Sequence, residues 1–268
     1  MLNLFYRIML HIFTYGAGNI SRFEFLKTSA DSCSLPINYI TQSVWNGFFD
    51  KVKFTLNAIK NLPDNDIVCF VDGFDVLALS DSDEILSKFL SYNCDILFGA
   101  ELNCWPGEYI NKYPNVSYTT QYKYLNSGGF CGYKHAVMDL YTWKTLEEVA
   151  HICKTCGGDQ GYFIEYYLAN FSKKSMKLDS YNQIFQNMFS VDWKELYIKN
   201  GRVLNSETKT IPCFLHFNGD SWKTNKKDNI MPLTIERLDI SRDTSGEMMT
   251  FSELTQDFNN YYFKRRQI

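Results

Sequence analysis

The sequence predicts an α/β fold, a mostly parallel, doubly wound sheet with helices on both faces. Strand-like and helix-like segments alternate through the first two-thirds of the chain. Ile67–Val71 is apolar at every position, as a central parallel strand covered on both faces requires. Turn-forming residues bound that run, Pro63-Asp64-Asn65-Asp66 before it and Asp72-Gly73 after it. A chain of 268 residues, 45% of them hydrophobic, is long enough to bury this architecture as one large domain.

The elements follow in order. Residues 1–15 are largely apolar but are interrupted by Arg7 and His11, and no small-residue cleavage pattern follows. They read as the first strand, centred on residues 10–14, rather than as a signal peptide. Residues 21–30 read as a helix and 37–41 as a strand; residues 51–60 form a second helix, with Val52, Leu56 and Ile59 at helical spacing. Beyond the central strand, residues 82–90 are a capped helix, 95–99 a short strand and 129–133 another. Helices are expected over 136–149 and 160–170, and a further apolar strand over 211–214. From about Asp228 the pattern becomes polar and irregular. The expected organisation is a domain over residues 1–227 with a C-terminal extension, 228–268, packed on it or trailing from it.

Composition narrows the function. A net charge of -3 and a pI near 5.8 leave no basic footprint of the kind nucleic-acid binding needs. Lys264, Arg265 and Arg266 form the densest basic run, which reads as a solvated tail. No segment approaches the roughly 18 unbroken apolar residues of a membrane span, so a soluble, cytoplasmic protein is expected. The eight cysteines form no paired metal framework: Cys153-Lys-Thr-Cys156 has no partner pair, and mostly buried free thiols are expected. Asn19-Ile-Ser, Asn115-Val-Ser and Asn170-Phe-Ser are acceptor sequons that matter only in a secretory lumen. The aromatic content, 16%, suits ring-lined pockets or a bulky core.

In open α/β sheets ligands bind beyond the carboxyl ends of the strands. Asp72-Gly73-Phe74-Asp75 follows the central strand directly. Two carboxylates there, with a glycine between them for a tight backbone path, can face one hard divalent cation. Such a cation would stabilise a nucleotide diphosphate as leaving group. Asp-Gly is equally a common turn. The second apolar strand, ending in Leu215-His216-Phe217-Asn218-Gly219, adds an imidazole that is a workable Mn²⁺ donor beside two carboxylates. The two strand ends together, rather than either alone, point to a metal centre.

Six motifs then occur in a recognisable order: Phe70-Val71-Asp72-Gly73-Phe74-Asp75-Val76; Gly99-Ala100-Glu101 with Cys104-Trp105-Pro106; Leu125-Asn126-Ser127-Gly128-Gly129-Phe130; Asp159-Gln160; Leu178-Asp179 with Ile184-Phe185-Gln186-Asn187; and His216-Phe217-Asn218-Gly219. With these the chain resembles, over about residues 12–223, the glycosyltransferase domain of collagen lysyl hydroxylases, which is related to the procollagen galactosyltransferases. No counterpart of the hydroxylase part is expected in a chain of this length. The resemblance implies a GT-A-type fold with Asp72, Asp75 and His216 as manganese ligands. It puts Phe74 where the family usually has Tyr against the uridine, and Thr14 at a uracil-contacting position. Trp45 and Lys51 fall in the segment lining the nucleotide pocket. Asn218 and Gly219 would bring backbone and amide donors to the diphosphate, and Lys223 a positive charge, although its spacing from His216 is one residue longer than usual in the family.

For sugar transfer the resemblance implies Glu101, Asn126 and Asp159 near the donor sugar, with Trp105 as a wall. Without it, Glu101 could cap a turn, Trp105 could fill core, and the Asn126 segment could be a tight loop. The family's run of aspartates before Asp-Gln is replaced by Cys156-Gly157-Gly158; the two glycines read as a flexible lead-in and Asp159 as a helix N-cap. The function expected is Mn²⁺-dependent transfer of glucose or galactose from a UDP-sugar to a hydroxyl acceptor, hydroxylysine or galactosyl-hydroxylysine of a collagen-like protein or a glycan, by a protein that could form a homodimer. The alternative is a UDP-sugar-binding accessory protein with weak or no transfer. A nucleotidyltransferase would need a basic, glycine-rich loop near the first strand, and Tyr15-Gly16-Ala17-Gly18-Asn19 offers no cation before Arg22.

Overall fold

A computed structural model describes residues 8–114, 120–221, 223–224, 228–243 and 248–256. Its strands are β1 (Leu10–Ala17), β2 (Asn38–Gln42), β3 (Ile67–Val71), β4 (Val76–Ala78), β5 (Ile96–Glu101), β6 (Tyr124–Tyr133), β7 (Met176–Asp179), β8 (Phe185–Asn187), β9 (Leu196–Lys199), β10 (Arg202–Asn205), β11 (Phe214–His216), β12 (Lys223–Thr224), β13 (Asp228–Asn229) and β14 (Met249–Thr250). The helices are α1 (Glu24–Ser32), α2 (Phe48–Ile59), α3 (Ser82–Ser91), α4 (Lys134–Thr142), α5 (Leu146–Thr155), α6 (Gly158–Asn170) and α7 (Met231–Asp243).

Nine strands form one sheet in the order β2-β1-β3-β6-β5-β8-β11-β4, with β7 paired beside β5. Pairings are parallel except where β6 lies between β3 and β5 and where β4 closes the edge against β11. The expected α/β class with a mostly parallel sheet is therefore present, with two antiparallel strands set into it. Strand alternation divides β3 between the two faces. Val68 and Phe70 join the core under α2, α4, α5 and α6, while Ile67, Cys69 and Val71 face the core under α1 and α3. That two-sided burial is why every position of the strand is apolar.

The expected helix over 136–149 is two helices. Between them Thr145 accepts a hydrogen bond from the Glu148 amide, and the Glu148 carboxylate accepts from the Thr145 amide. This capping box restarts the helix. The strand expected over 211–214 begins later, because Pro212 has no N–H to give; the Cys213 and Phe214 amides both donate to Ile184 O. All eight cysteines are free thiols, five of them buried. From Asp228 onward, the segment contains β13, α7 and β14. β14 pairs with β9, and Ile230, Met231, Leu238, Phe251 and Leu254 are buried in a third core with Leu77, Leu196, Ile198 and Val203. Among the described residues no helix is long and apolar enough to cross a membrane. Residues 1–7, the Asn115 sequon and the basic run at 264–266 lie outside the described residues.

Candidate active site and metal centre

Three strand ends build the metal centre. Asp72 leaves β3, Asp75 precedes β4, and His216 ends β11, which pairs antiparallel with β4 so that Val76 stands opposite His216. The ligand atoms of Asp72, Asp75 and His216 all lie within 4.8 Å of one another, with His216 Nε2 at 3.7 Å from Asp72 Oδ2 and 3.5 Å from Asp75 Oδ2. Two glycines let the backbone come this close. A Cβ on Gly128 would stand 2.1 Å from His216 Cε1 and 2.7 Å from Asp72 Oδ2, and one on Gly73 2.2 Å from the Phe23 ring. His216 is buried; burial pulls its pKa down, Asp75 and Asp72 pull it up, and the net direction is up. Two hard carboxylate oxygens and one imidazole nitrogen, converging within 4.8 Å of one another, fit a divalent ion such as Mn²⁺.

Behind the centre lies Lys51, buried on α2. Its Nζ is 2.7 Å from Asp72 Oδ1 and 2.7 Å from Asp159 Oδ2, so one ammonium links a metal-centre carboxylate to the carboxylate of α6. Burial lowers the Lys51 pKa, but Asp159 and Asp72 outweigh it and the net shift is upward, which keeps the charge. Asp159 is thus not the N-cap of α6. Gly157 holds that position in the left-handed region, φ 79°, and Asp159 sits inside the first turn. Nor are the two glycines a loose lead-in. Gly158 is also left-handed, φ 77°, and both pack tightly, a Cβ on Gly157 falling 2.2 Å from Pro106 Cγ.

Glu101, buried at the end of β5, is a knot of amides. It accepts from Asn126 Nδ2 at 3.0 Å, Gln160 Nε2 at 3.0 Å and Asn218 Nδ2 at 2.9 Å. Burial raises its pKa and the three amides oppose that shift. It caps no turn, and Asn126 belongs to β6 rather than to a loop. Asn218 also accepts from the Met188 and Phe189 amides through Oδ1, so its side chain is fixed within the protein while its backbone lines the cavity beside Gly219. Trp105 is 64% exposed and fills no core. Its carbonyl accepts from Gln160 Nε2 at 2.7 Å.

Two adjoining cavities meet at Asp72 and Asp75. One, of about 710 Å³, is walled by Tyr15, Arg22, Trp45, Phe48 and Phe74 and also reached by Asn229 and Met231. The Thr14 hydroxyl beneath it is buried with no hydrogen-bond partner, 2.8 Å from where a Gly73 Cβ would sit. The other, of about 650 Å³, is lined by Glu101, Trp105, Asn126, Asp159, His216 and Gly219. Of the residues singled out in the sequence, all but Thr14, which is buried beneath, and Lys223 line one cavity or the other. Lys223 lies in β12, and its side chain is outside the described residues. Sequence reasoning passed over Phe48, which lines both cavities, and Arg22, whose guanidinium lies 4.4 Å from the Phe74 ring centroid. Phe48 stands three residues before Lys51 and was within reach of the same motif; Arg22 carries no signal of its own.

Residues 41–234 match the model of the PLOD GT domain. The chain belongs to that family. This glycosyltransferase domain explains the ordered motifs. The chain is 32% identical over 176 residues to an uncharacterized protein of Acanthamoeba polyphaga mimivirus, covering 65% of this chain and 36% of that one. It is 34% identical over 164 residues to the multifunctional procollagen lysine hydroxylase and glycosyltransferase of Caenorhabditis elegans, covering 58% of this chain and 21% of that protein. The chain thus spans 21% to 36% of the length of these relatives. A crystal structure of a glycosyltransferase involved in the glycosylation of the major capsid of PBCV-1 aligns with 87% of this chain and 99% of its own, at 11% identity and a TM-score of 0.47.

Proposed function

We propose that this PLOD GT domain transfers glucose or galactose from a UDP-sugar to a hydroxyl acceptor, hydroxylysine or galactosyl-hydroxylysine of a collagen-like protein or a related glycan. The observation that carries this reading is the position of the Asp72, Asp75 and His216 cluster where an aromatic cavity and a polar cavity meet. A diphosphate belongs at such a junction, with its nucleoside on the aromatic side and its sugar on the polar side. Asp72, Asp75 and His216 would hold Mn²⁺, which supplies Lewis-acid stabilisation of the leaving diphosphate.

The protein's own groups then divide the work. Phe74 and Trp45 offer ring faces to uracil, and the unpartnered Thr14 hydroxyl supplies a hydrogen bond to it. Backbone amides at Asn218 and Gly219 meet the diphosphate, with Lys223 adding charge. Lys51, which also lines the aromatic cavity, orients Asp72 and Asp159. On the sugar side Asp159 faces the donor, Glu101 fixes Asn126, Gln160 and Asn218 in their orientations, and Trp105 offers the acceptor a flat apolar wall.

A second reading, a UDP-sugar-binding accessory protein, draws on one observation: Asp159 is already paired with Lys51 and Glu101 is held by three amides. Release of UDP from UDP-glucose and UDP-galactose with Mn²⁺, with and without a galactosyl-hydroxylysine peptide, decides between them. Acceptor-stimulated release supports transfer; tight binding without release supports the accessory role. Titration calorimetry should show UDP and Mn²⁺ binding together and each weakly alone, because the cluster leaves coordination positions for phosphate oxygens. Equal UDP affinity in excess chelator would overturn the metal-centre reading.

A further inference from the structure

We infer that Asn187 is a positioning residue for the metal centre, holding His216 with Nδ1 protonated and turned away so that Nε2 is the atom presented to a divalent cation. This rests on the metal-centre reading proposed above. Asn187 ends β8, and the parallel register between β8 and β11 sets it beside His216. It is 1% exposed and lines neither cavity. Its Nδ2 donates to Ala100 O on β5 at 2.9 Å, and its Oδ1 is 2.8 Å from His216 Nδ1.

The hydrogen bonds run across three neighbouring strands, β5, β8 and β11. A backbone carbonyl only accepts, so Ala100 O fixes which end of the Asn187 amide faces β5. The other end, an acceptor, must then face His216, and the ring nitrogen opposite it must be the donor. With the proton on Nδ1, the Nε2 lone pair is directed at Asp72 and Asp75. Gly99 leaves room for this: a Cβ there would stand 3.3 Å from Asn187 Nδ2 and 3.1 Å from Gly129 O. An outer-shell partner that fixes the tautomer of a ligating histidine is worth on the order of 10- to 100-fold in metal affinity.

The test is a Mn²⁺ titration of the whole chain in the presence of UDP, followed by the electron paramagnetic resonance of free Mn²⁺, with thermal melting recorded alongside. Wild-type protein should bind Mn²⁺ and His216→Ala should lose it; if wild type does not bind, the metal-centre reading itself fails, and this inference with it. Given wild-type binding, Asn187→Leu, which removes the acceptor, should weaken Mn²⁺ on the order of 10- to 100-fold. Asn187→Asp keeps an acceptor for Nδ1 but removes the side-chain donor to Ala100 O. It should melt lower yet bind Mn²⁺ as well as wild type. A purely structural role would make affinity follow stability in both variants, and that result overturns the inference, as does wild-type affinity in folded Asn187→Leu. Should neither variant fold, wild-type protein labelled with ¹⁵N-histidine and loaded with Zn²⁺ gives the answer. A slowly exchanging proton on His216 Nδ1 is expected, and a proton on Nε2 refutes the assignment.

Discussion

At the scale of single residues, the site depends on one buried ammonium shared by two carboxylates. Asp159→Asn removes the charge of one partner while keeping its shape. Were Asp159 a helix cap, this change would be silent, since Asn caps about as well as Asp; because Asp159 instead faces Lys51 and lines the sugar-side cavity, it should not be. Loss of a charge-assisted contact should lower stability by about 1.5–3 kcal/mol. UDP-sugar turnover should fall roughly ten-fold or more, the usual worth of a charged group at a reacting centre, while Mn²⁺ still binds. Unchanged turnover would favour the accessory reading. A lysine whose folded-state pKa is raised contributes stability that is fully present below its unfolded value and is lost as pH rises through the raised one. The variant's deficit should therefore be flat from about pH 6 to 9, as denaturant titrations across that range would show. Asp72, Asp75 and His216 were legible because each stands at the end of an apolar run. The pairing of Lys51 with Asp159 was not, since it joins α2 to α6 across 108 positions of chain and nothing local in either segment announces it.

At the scale of elements, the turn between α5 and α6 is where this chain departs from the acidic run of its family, and the backbone explains why the departure is not a simple deletion of charge. Gly157 and Gly158 are both left-handed, a conformation other residues adopt at a cost of about 1–3 kcal/mol. Gly158→Asp would restore a carboxylate before Asp159, yet its Cβ would meet the Phe48 ring at 3.0 Å. The variant should melt lower by an amount in that 1–3 kcal/mol range and gain no UDP-sugar turnover. A gain in turnover at unchanged melting temperature would mean that the turn accepts the family's residues and that charge alone distinguishes this chain. Sequence patterning anticipated the glycines but not their rigidity, because φ is decided by what they pack against. The same limit applies to the break between α4 and α5. Helical periodicity runs through residues 136–149, and only the Thr145-x-x-Glu148 pair marks the restart. Likewise, the apolar run of β6 announces a strand without revealing that it pairs antiparallel to both neighbours.

At the scale of the whole molecule, the described residues from Asp228 on are bound into the body by burial. Its sequence looks irregular because the apolar residues of α7 do not form a sustained stripe, whereas the partners that bury them, on β4, β9, β10 and β11, are distant in the chain. The Gly201 amide, in the turn between β9 and β10, donates to Ser241 Oγ on α7 at 2.7 Å, and β14 adds a strand to β9. Ile230, Met231, Leu238, Phe251 and Leu254 are each at most 4% exposed. At about 1.5–3 kcal/mol for each side chain buried, their joint contribution is comparable with the entire stability of a typical domain, roughly 5–15 kcal/mol. Removing everything after residue 227 should therefore not leave a freestanding glycosyltransferase domain. It would expose Leu196, Ile198 and Val203 and strip Asn229 and Met231 from the wall of the aromatic cavity. The truncated chain should lose its cooperative melting transition and bind hydrophobic dyes. Phe251→Ala separates packing from chemistry: it opens a cavity in the third core, far in sequence from the metal ligands, and should cost about 3–5 kcal/mol while leaving Mn²⁺-dependent UDP binding intact below its lowered melting temperature. A truncated chain that melts cooperatively and binds UDP with Mn²⁺ like the full chain would show that the third core is an appendage, and the boundary near residue 227 a true domain edge.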